Sequence, residues 1–340
     1  HNTRWSQRIH HSRKKPQISA LTRGSSESFR LSHETRAAAV PFLRSSCSPL
    51  KAPPLATTQP NLLAGDALER FVDAITFQVN DLQTSRRCFL RAAWALHHHG
   101  IVRLRAVASS AQIEAINVEI RQLLDEIERG DFHRLERIAH LNLPDQRVLK
   151  GYNQFRDAEK AVINYRVKRP DGRSGSDAGM IDIFHPERLS AGLNQTIHAC
   201  LQESLIQKLL QTSTFNRLRV KCRNIYLNHG VEDTRSYHCD GRSMKFKSFV
   251  YLSDVQSLAD GPYCFVPGSQ RRRRLWWRNA RFNKRHGLGP FEFSQLKDSS
   301  AICLFASAGD MVLSSQRGAH CGHPQQPEAR RAVLVNMYQR

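Results

Sequence analysis

The second half of the chain limits the fold most. From Leu218 onward, short runs rich in β-branched and aromatic residues are separated by turn signals: "LRVKCRNIYL", "MKFKSFVYL", "YCFVPG", "AICLF", "DMVLSS" and "AVLVNMY". Helical patterns precede them. Short strands in series after a run of helices predict a mainly β domain with flanking helices, built as a sandwich or a double-stranded β-helix.

The helical part is legible in pieces. Leu68, Phe71, Val72, Ile75 and Val79 recur at helical spacing, and a second helix is predicted from Arg86 to His98. His97, His98 and His99 run into Gly100. Consecutive helical residues point in different directions, so the three read as helix C-terminal residues ahead of a glycine stop rather than as a metal site. Ile101 to Val107 alternates as a strand. Ser109 with Gln112 forms a capping box, followed by a buried stripe of Ile113, Ile116, Ile120, Leu123 and Ile127. Further on, "RVKRPDGRSGSDAG" reads as a loop before a short strand Ile181 to Phe184, and Leu193 to Leu210 as one helix.

Residues 1–65 show no sustained apolar period. They are rich in Arg, Ser, Pro and Thr, with Glu27 and Glu34 the only acids before Asp66. Such a segment cannot bury enough apolar surface to offset its ordering entropy and is expected to be disordered. A loose tail is the plain reading. The Arg- and Ser-rich, acid-poor composition also resembles an organelle transit peptide. The folded domain is expected over 66–340. No apolar run is long enough to span a membrane. Eight cysteines without a C-x-x-C pair read as buried thiols of a reducing, cytoplasmic compartment.

The net charge of +21 invites a nucleic-acid partner. Much of the excess lies in the first 65 residues, and the rest is spread out apart from Arg271 to Arg274. Nucleic acid is therefore not the expected main partner, and a basic surface equally attracts a small anionic molecule. The segment "RRRRLWWRNARFNKRHG" reads as a solvated basic loop, with an anion-binding lid over the site as its alternative. Trp276 and Trp277 within it could stack on a ring or anchor the loop.

Two stretches carry chemistry. In an extended segment His238 and Asp240 of "HCD" share a face, with Cys239 opposite, so an imidazole and a carboxylate can approach one metal together. His320 follows much later in "GAHCG", and Arg330-Arg331 open the last strand. Two histidines and one carboxylate make the facial triad of non-haem iron(II) oxygenases, which leaves coordination positions open for a 2-oxo acid and O₂. A planar guanidinium suits the far carboxylate of that acid, and Arg331 lies where a return strand could deliver it. His323 is the competing distal ligand but precedes Pro324 and reads as a loop residue. Cys239 and Cys321 read as packed thiols. Lys247, Phe249 and Tyr251 share a strand face, and Lys247 reads as a surface lysine rather than a group touching cosubstrate.

These motifs in this order, "TRSYHCD", "KSFVYLSDV", "DGPYCFVPGS", "GDMVL", "GAHCG" and "RRAVLVNMY", resemble the phytanoyl-CoA dioxygenase family of iron(II)/2-oxoglutarate enzymes. "GIVRLRAVASSAQIEAI" resembles the strand and helix that open the family domain. The resemblance implies a jelly-roll core, iron held by His238, Asp240 and His320, and 2-oxoglutarate held by Arg331, or by Arg330 if the preceding loop differs in length. It implies hydroxylation of a small organic substrate, acyl or anionic in type, with O₂ consumed and succinate and CO₂ released. Related halogenases replace the carboxylate with a small residue, so Asp240 favours hydroxylation. The family's "PGSH" reads Pro267-Gly268-Ser269-Gln270 here, and residues 130–215 match no family motif, which leaves the substrate open. The rival readings are a non-catalytic ligand-binding protein of the same fold and a basic nucleic-acid-binding protein.

Overall fold

The computed structural model describes residues 57–130, 138–142, 158–166 and 177–340. Residues 1–56, the greater part of the segment expected to be disordered, lie outside the described residues, as does most of the "RVKRPDGRSGSDAG" loop. The described residues include some before Asp66. A two-residue strand β1 (Asn61–Leu62) pairs in parallel with a later strand, and Thr58 bridges Gln295.

Among the described residues three helices come first: α1 (Gly65–Ala74), α2 (Val79–Thr84) and α3 (Arg86–His99). The apolar spacing that suggested one helix from Leu68 to Val79 is interrupted by β2 (Thr76–Gln78), because Arg103 binds the carbonyl of Ile75 and draws this stretch into a parallel pair. Gly100 ends α3 in the left-handed region at φ +79°, where a glycine carries no Cβ penalty. Strand β3 (Ile101–Arg105) and helix α4 (Ser110–Glu128) follow, with the Ser109–Gln112 capping box formed and all five residues of the predicted stripe buried.

Strands β4 (Ile138–Asn142), β5 (Ala161–Tyr165) and β6 (Met180–Phe184) come next. The helix expected over Leu193 to Leu210 is two, α5 (Ala191–Leu201) and α6 (Glu203–Thr214). Gln202 between them sits at φ +47°, and each helix buries its own stripe, ending with Leu201 and beginning with Ile206.

The six β-like runs become strands β7 (Arg219–His229), β8 (Lys245–Tyr251), β9 (Tyr263–Phe265), β10 (Ser300–Leu304), β11 (Met311–Ser315) and β13 (Arg330–Gln339), with β12 (His320–Gly322) between the last two. The stretch expected to be a basic loop contains helix α7 (Arg273–His286). Leu275, Asn279 and Asn283 recur every four residues on its buried side, and Gly287 closes it at φ +66°.

The architecture is mixed α and β, with a large, mostly antiparallel sheet and more helix than a mainly β reading anticipates. Nine strands run in the order β2-β3-β11-β8-β13-β7-β6-β5-β4, and a smaller sheet runs β1-β10-β9-β12. His238 extends the smaller sheet through an antiparallel bridge to His320. Strand alternation divides the large sheet's faces. Val250, Leu334 and Leu313 of β8, β13 and β11 join the main hydrophobic cluster with the buried stripes of α3, α4, α5 and α6. On the other face Lys247, Phe249 and Tyr251 of β8, with Arg331 and Val333 of β13, line a cavity, and Phe249, Tyr251 and Val333 belong to the main cluster as well.

The smaller sheet has an apolar side of its own, where Cys239, Cys264, Cys303 and Cys321 cluster with Val266, Leu275 and Phe293. The all-thiol reading needs correction here. Cys264 and Cys303 face one another across β9 and β10 and form a disulfide, while Cys88, Cys200, Cys222, Cys239 and Cys321 are free. Cross-strand partners are the closest side chains a sheet offers, and the spacing of cysteines along a sequence does not disclose such a pairing.

Candidate metal centre

His238 and His320 are directly opposed residues of an antiparallel pair. Each backbone N–H donates to the other's carbonyl at 2.9 Å, which throws both side chains to one face. The two rings lie 4.5 Å apart, centroid to centroid. Asp240 follows His238 by two and is tied down by its own N–H to the Gln316 carbonyl at 2.9 Å. Its Oδ1 then lies 3.7 Å from His238 Nε2 and 3.8 Å from His320 Nε2. Among the described residues this is the set of three whose ligand atoms fall within 4.8 Å of one another.

The ring tautomers follow from the hydrogen bonds. His238 Nδ1 meets the Ser236 carbonyl at 2.8 Å and His320 Nδ1 the Gly318 carbonyl at 3.0 Å. A carbonyl only accepts, so each Nδ1 carries the proton and each Nε2 presents its lone pair to the shared centre. Burial, and for His238 the neighbouring His320 and Arg235, push both imidazoles below their usual range, well below it for His238. Both are therefore neutral at pH 7. Burial alone would raise Asp240, but Lys247, His320 and His238 outweigh it and hold the carboxyl below the usual carboxylate range. Two neutral imidazoles and an ionised carboxylate match the donor set of a divalent metal.

Lys247 is the residue most misjudged from sequence. It is not a surface lysine: its side chain is 14% exposed and its Nζ lies 2.8 Å from Asp240 Oδ2. Burial works against its charge, but Asp240 outweighs burial and keeps it protonated. The available signal was its place on a strand face shared with Phe249 and Tyr251, since a charge among aromatics on a packed face needs a buried partner.

A cavity of about 500 Å³ opens over the three residues. Three buried polar atoms without a protein partner belong to residues lining it: Arg331 Nε, Asn228 Oδ1 and Gln316 Oε1. Arg331 stands opposite Asn228 in the β13–β7 ladder and donates through Nη1 to the Gly261 carbonyl. Arg330 is solvent-exposed and does not line the cavity. Buried polar atoms left unpaired around one cavity are what a polar ligand would satisfy.

The other candidates fall away from this centre. His323 is engaged with the Pro324 carbonyl at 2.9 Å. His97 binds the Ser213 carbonyl, His98 lies against Arg271, and His99 packs on Phe71 and Trp94. Cys239 and Cys321 pack on the opposite, apolar side of the smaller sheet, as alternation required.

The sequence matches no family model and no curated protein. The fold is loosely similar to several solved structures. One is the epimerase SnoN in complex with Fe3+, alpha ketoglutarate and nogalamycin RO, at 16% identity and a TM-score of 0.47, covering 74% of this chain and 84% of that one. Another is the non-heme alpha ketoglutarate dependent carbocyclase SnoK from nogalamycin biosynthesis, at 13% identity and 0.46, covering 73% and 82%. A third is HygX from Streptomyces hygroscopicus with nickel and 2-oxoglutarate bound, at 14% and 0.39, covering 72% and 84%. What this chain can do is decided by its own side chains.

Proposed function

We propose that this chain is an iron(II)- and 2-oxoglutarate-dependent oxygenase that hydroxylates a small organic substrate, consuming O₂ and releasing succinate and CO₂. The observation that carries the reading is the convergence of His238 Nε2, His320 Nε2 and Asp240 Oδ1 in a cavity that Arg331 also lines. Two imidazoles and one carboxylate would hold a divalent metal while leaving it further positions for other ligands. In this reading residues 66–340 form the oxygenase domain, and β1 lies along the domain's edge. The order β7-β13-β8-β11, facing the His238 segment, β12, β9 and β10, fits a double-stranded β-helix. The motifs listed above further support membership of the phytanoyl-CoA dioxygenase family.

Roles follow from the chemistry of the residues. When bound, iron(II) with 2-oxoglutarate supplies the oxidising power for C–H hydroxylation. His238 and His320 hold the metal through Nε2, and their Nδ1–H bonds to backbone carbonyls keep the rings from turning. Asp240 offers Oδ1 to the metal while Lys247 holds Oδ2. Arg331, in place of the exposed Arg330, receives the distal carboxylate of 2-oxoglutarate through its unpaired Nε side. Tyr263, whose OH is anchored to Ser314 at 3.0 Å, and Phe249 wall the cavity and keep water from the reacting carbon.

The test is anaerobic addition of iron(II) and 2-oxoglutarate to the metal-free chain while the visible spectrum is recorded. The expected outcome is a weak metal-to-ligand charge-transfer band that disappears in His320→Ala. Arg331→Gln should raise the 2-oxoglutarate concentration needed by about 30-fold, the worth of a charge-assisted pair, and Arg330→Gln should leave it unchanged. Absence of the band in folded protein would sink the oxygenase reading and favour a non-catalytic ligand-binding protein of the same fold.

A further inference from the structure

Beside the metal cavity lies a second cleft, of about 670 Å³, that the metal centre does not use. Four arginines from three separate segments line it. Arg242 comes from the loop after Asp240, Arg271 and Arg273 from the short 3-10 turn before α7 and the first residue of α7, and Arg317 from the loop before His320. Trp276 and Trp277 complete one wall, and no carboxylate lines the cleft.

The neighbouring acids are already engaged. Glu292 pairs with Arg235 at 2.6 Å and Asp298 with Arg278 at 2.8 Å. None of the four arginines has an acidic partner among the described residues. Arg271 reaches only the ring nitrogen of His98, at 3.1 Å, and Arg317 Nε is buried with no hydrogen-bond partner. Like charges brought together from distant parts of the chain repel one another. The first turn of α7 adds to this, because Arg273 and Arg274 sit at the end of a 14-residue helix where its dipole disfavours cations. A bound anion relieves both penalties, and the guanidinium fork matches the oxygen geometry of a phosphate.

The cleft and the metal cavity share their loops. Arg317 directly follows Gln316, which lines the cavity, and Arg242 stands two residues beyond Asp240. The two sites are therefore neighbours through these loops, although no residue lines both.

We infer that this cleft is the anchoring subsite for the substrate and takes its phosphate or pyrophosphate group. The assignment to substrate rests on the oxygenase reading; the anion binding does not. A multiply charged oxyanion is required because one carboxylate would leave most of the four guanidinium charges uncompensated. Arg317 and Arg242 grip the anion from one side, Arg271 and Arg273 close it from the turn before α7 and the helix's first residue, and the exposed face of Trp277 is available to stack on the organic part.

The probe is inorganic pyrophosphate, titrated into the full chain at about 0.15 M salt, where diffuse attraction is screened. Tryptophan fluorescence, which Trp276 and Trp277 report from the cleft wall, and calorimetry read the binding. Saturable one-site binding is expected. The double variant Arg242→Gln/Arg317→Gln should weaken it by about tenfold or more, while Lys284→Gln/Arg285→Gln, at the far end of the same helix, should change it by less than about twofold. Equal weakening by both double variants, or no saturation, overturns the proposal and leaves α7 as a generally basic surface. Displacement of pyrophosphate by vesicles of phosphatidylcholine and phosphatidylserine would assign the cleft to a lipid headgroup and overturn a soluble substrate. Metal binding is read separately, so a failure of iron to bind leaves the pyrophosphate result standing, and the reverse holds.

Discussion

His238 and His320 are held by each other's backbone and by their own Nδ1–H bonds, so both rings face Asp240. The Lys247–Asp240 pair is the electrostatic counterpart of that arrangement. With side chains 14% and 22% exposed, it lies between a surface and a buried ion pair. Lys247→Met leaves Asp240 facing the cavity without its cation and should destabilise the metal-free chain by about 2–3 kcal/mol in urea unfolding. Nickel(II), used as a redox-silent metal, should recover much of that loss, because it supplies the missing positive charge. An equal loss with and without nickel would mean that Lys247 acts through packing alone.

The histidines also set a pH dependence. Their folded-state pKa values lie below the unfolded value of about 6.5. The unfolded chain therefore takes up protons first as pH falls. Stability from keeping these rings neutral is fully present above about pH 6.5 and declines below it. Asp240, depressed in the folded state, adds stability that is present above about pH 4 and is lost as pH falls toward its lowered pKa. Unfolding midpoints at pH 7.5, 6.5 and 5.5 should drop over the last interval, and more shallowly in His238→Gln/His320→Gln. An identical slope in that variant would assign the acid sensitivity to other groups.

At the scale of elements, the helix ends are where local sequence and structure disagree most. Helix α6 ends at Phe215, which adopts φ +58° and is 85% exposed. A non-glycine residue there carries about 1 kcal/mol of strain, and an exposed phenyl ring returns little burial in exchange. Phe215→Gly should therefore stabilise the chain by up to about 1 kcal/mol, read as a rise in thermal midpoint. A fall would mean that the edge contact with the His97 ring matters more than the backbone strain. Helix α7 shows the opposite tension. Its run of arginines suggested a solvated loop, but apolar and amide residues at four-residue spacing dock it: Asn279 and Asn283 bind the backbone at Gln295, Gly289 and Glu292. Charge dominated the composition of this stretch and concealed its period.

Across the whole molecule, the smaller sheet is tied by the Cys264–Cys303 disulfide, which closes a loop with a sequence separation of 39. Chain-entropy arguments assign such a closure about 4 kcal/mol. Both cysteines are buried, so the comparison should be made between the oxidised chain and Cys264→Ala/Cys303→Ala. The variant should unfold at lower urea, and its iron binding should weaken less than its stability, because His320 and His238 are held by their own backbone pair. Unchanged stability would indicate that the surrounding apolar cluster suffices to hold β9 against β10. No helix among the described residues is long and apolar enough to cross a membrane.

Local signals were readable where one residue type meets one physical requirement. The capping box at Ser109, the glycine stop at Gly100, the six strand runs and the H-x-D spacing all depend on neighbours a few residues away, and short-range sterics and hydrogen bonding decide them. Metal-ligand candidates could be chosen because two imidazoles and a carboxylate are a restrictive donor set. Tertiary structure decided what depends on partners distant in the chain. It split the predicted helices at Ile75 and Gln202, paired Cys264 with Cys303 across strands, buried Lys247 against Asp240 and preferred Arg331 to Arg330 at the cavity. It also gathered Arg242, Arg271, Arg273 and Arg317 into one cleft. Burial and ion pairing are properties of the assembled surfaces, and a residue's own neighbours in sequence do not determine them.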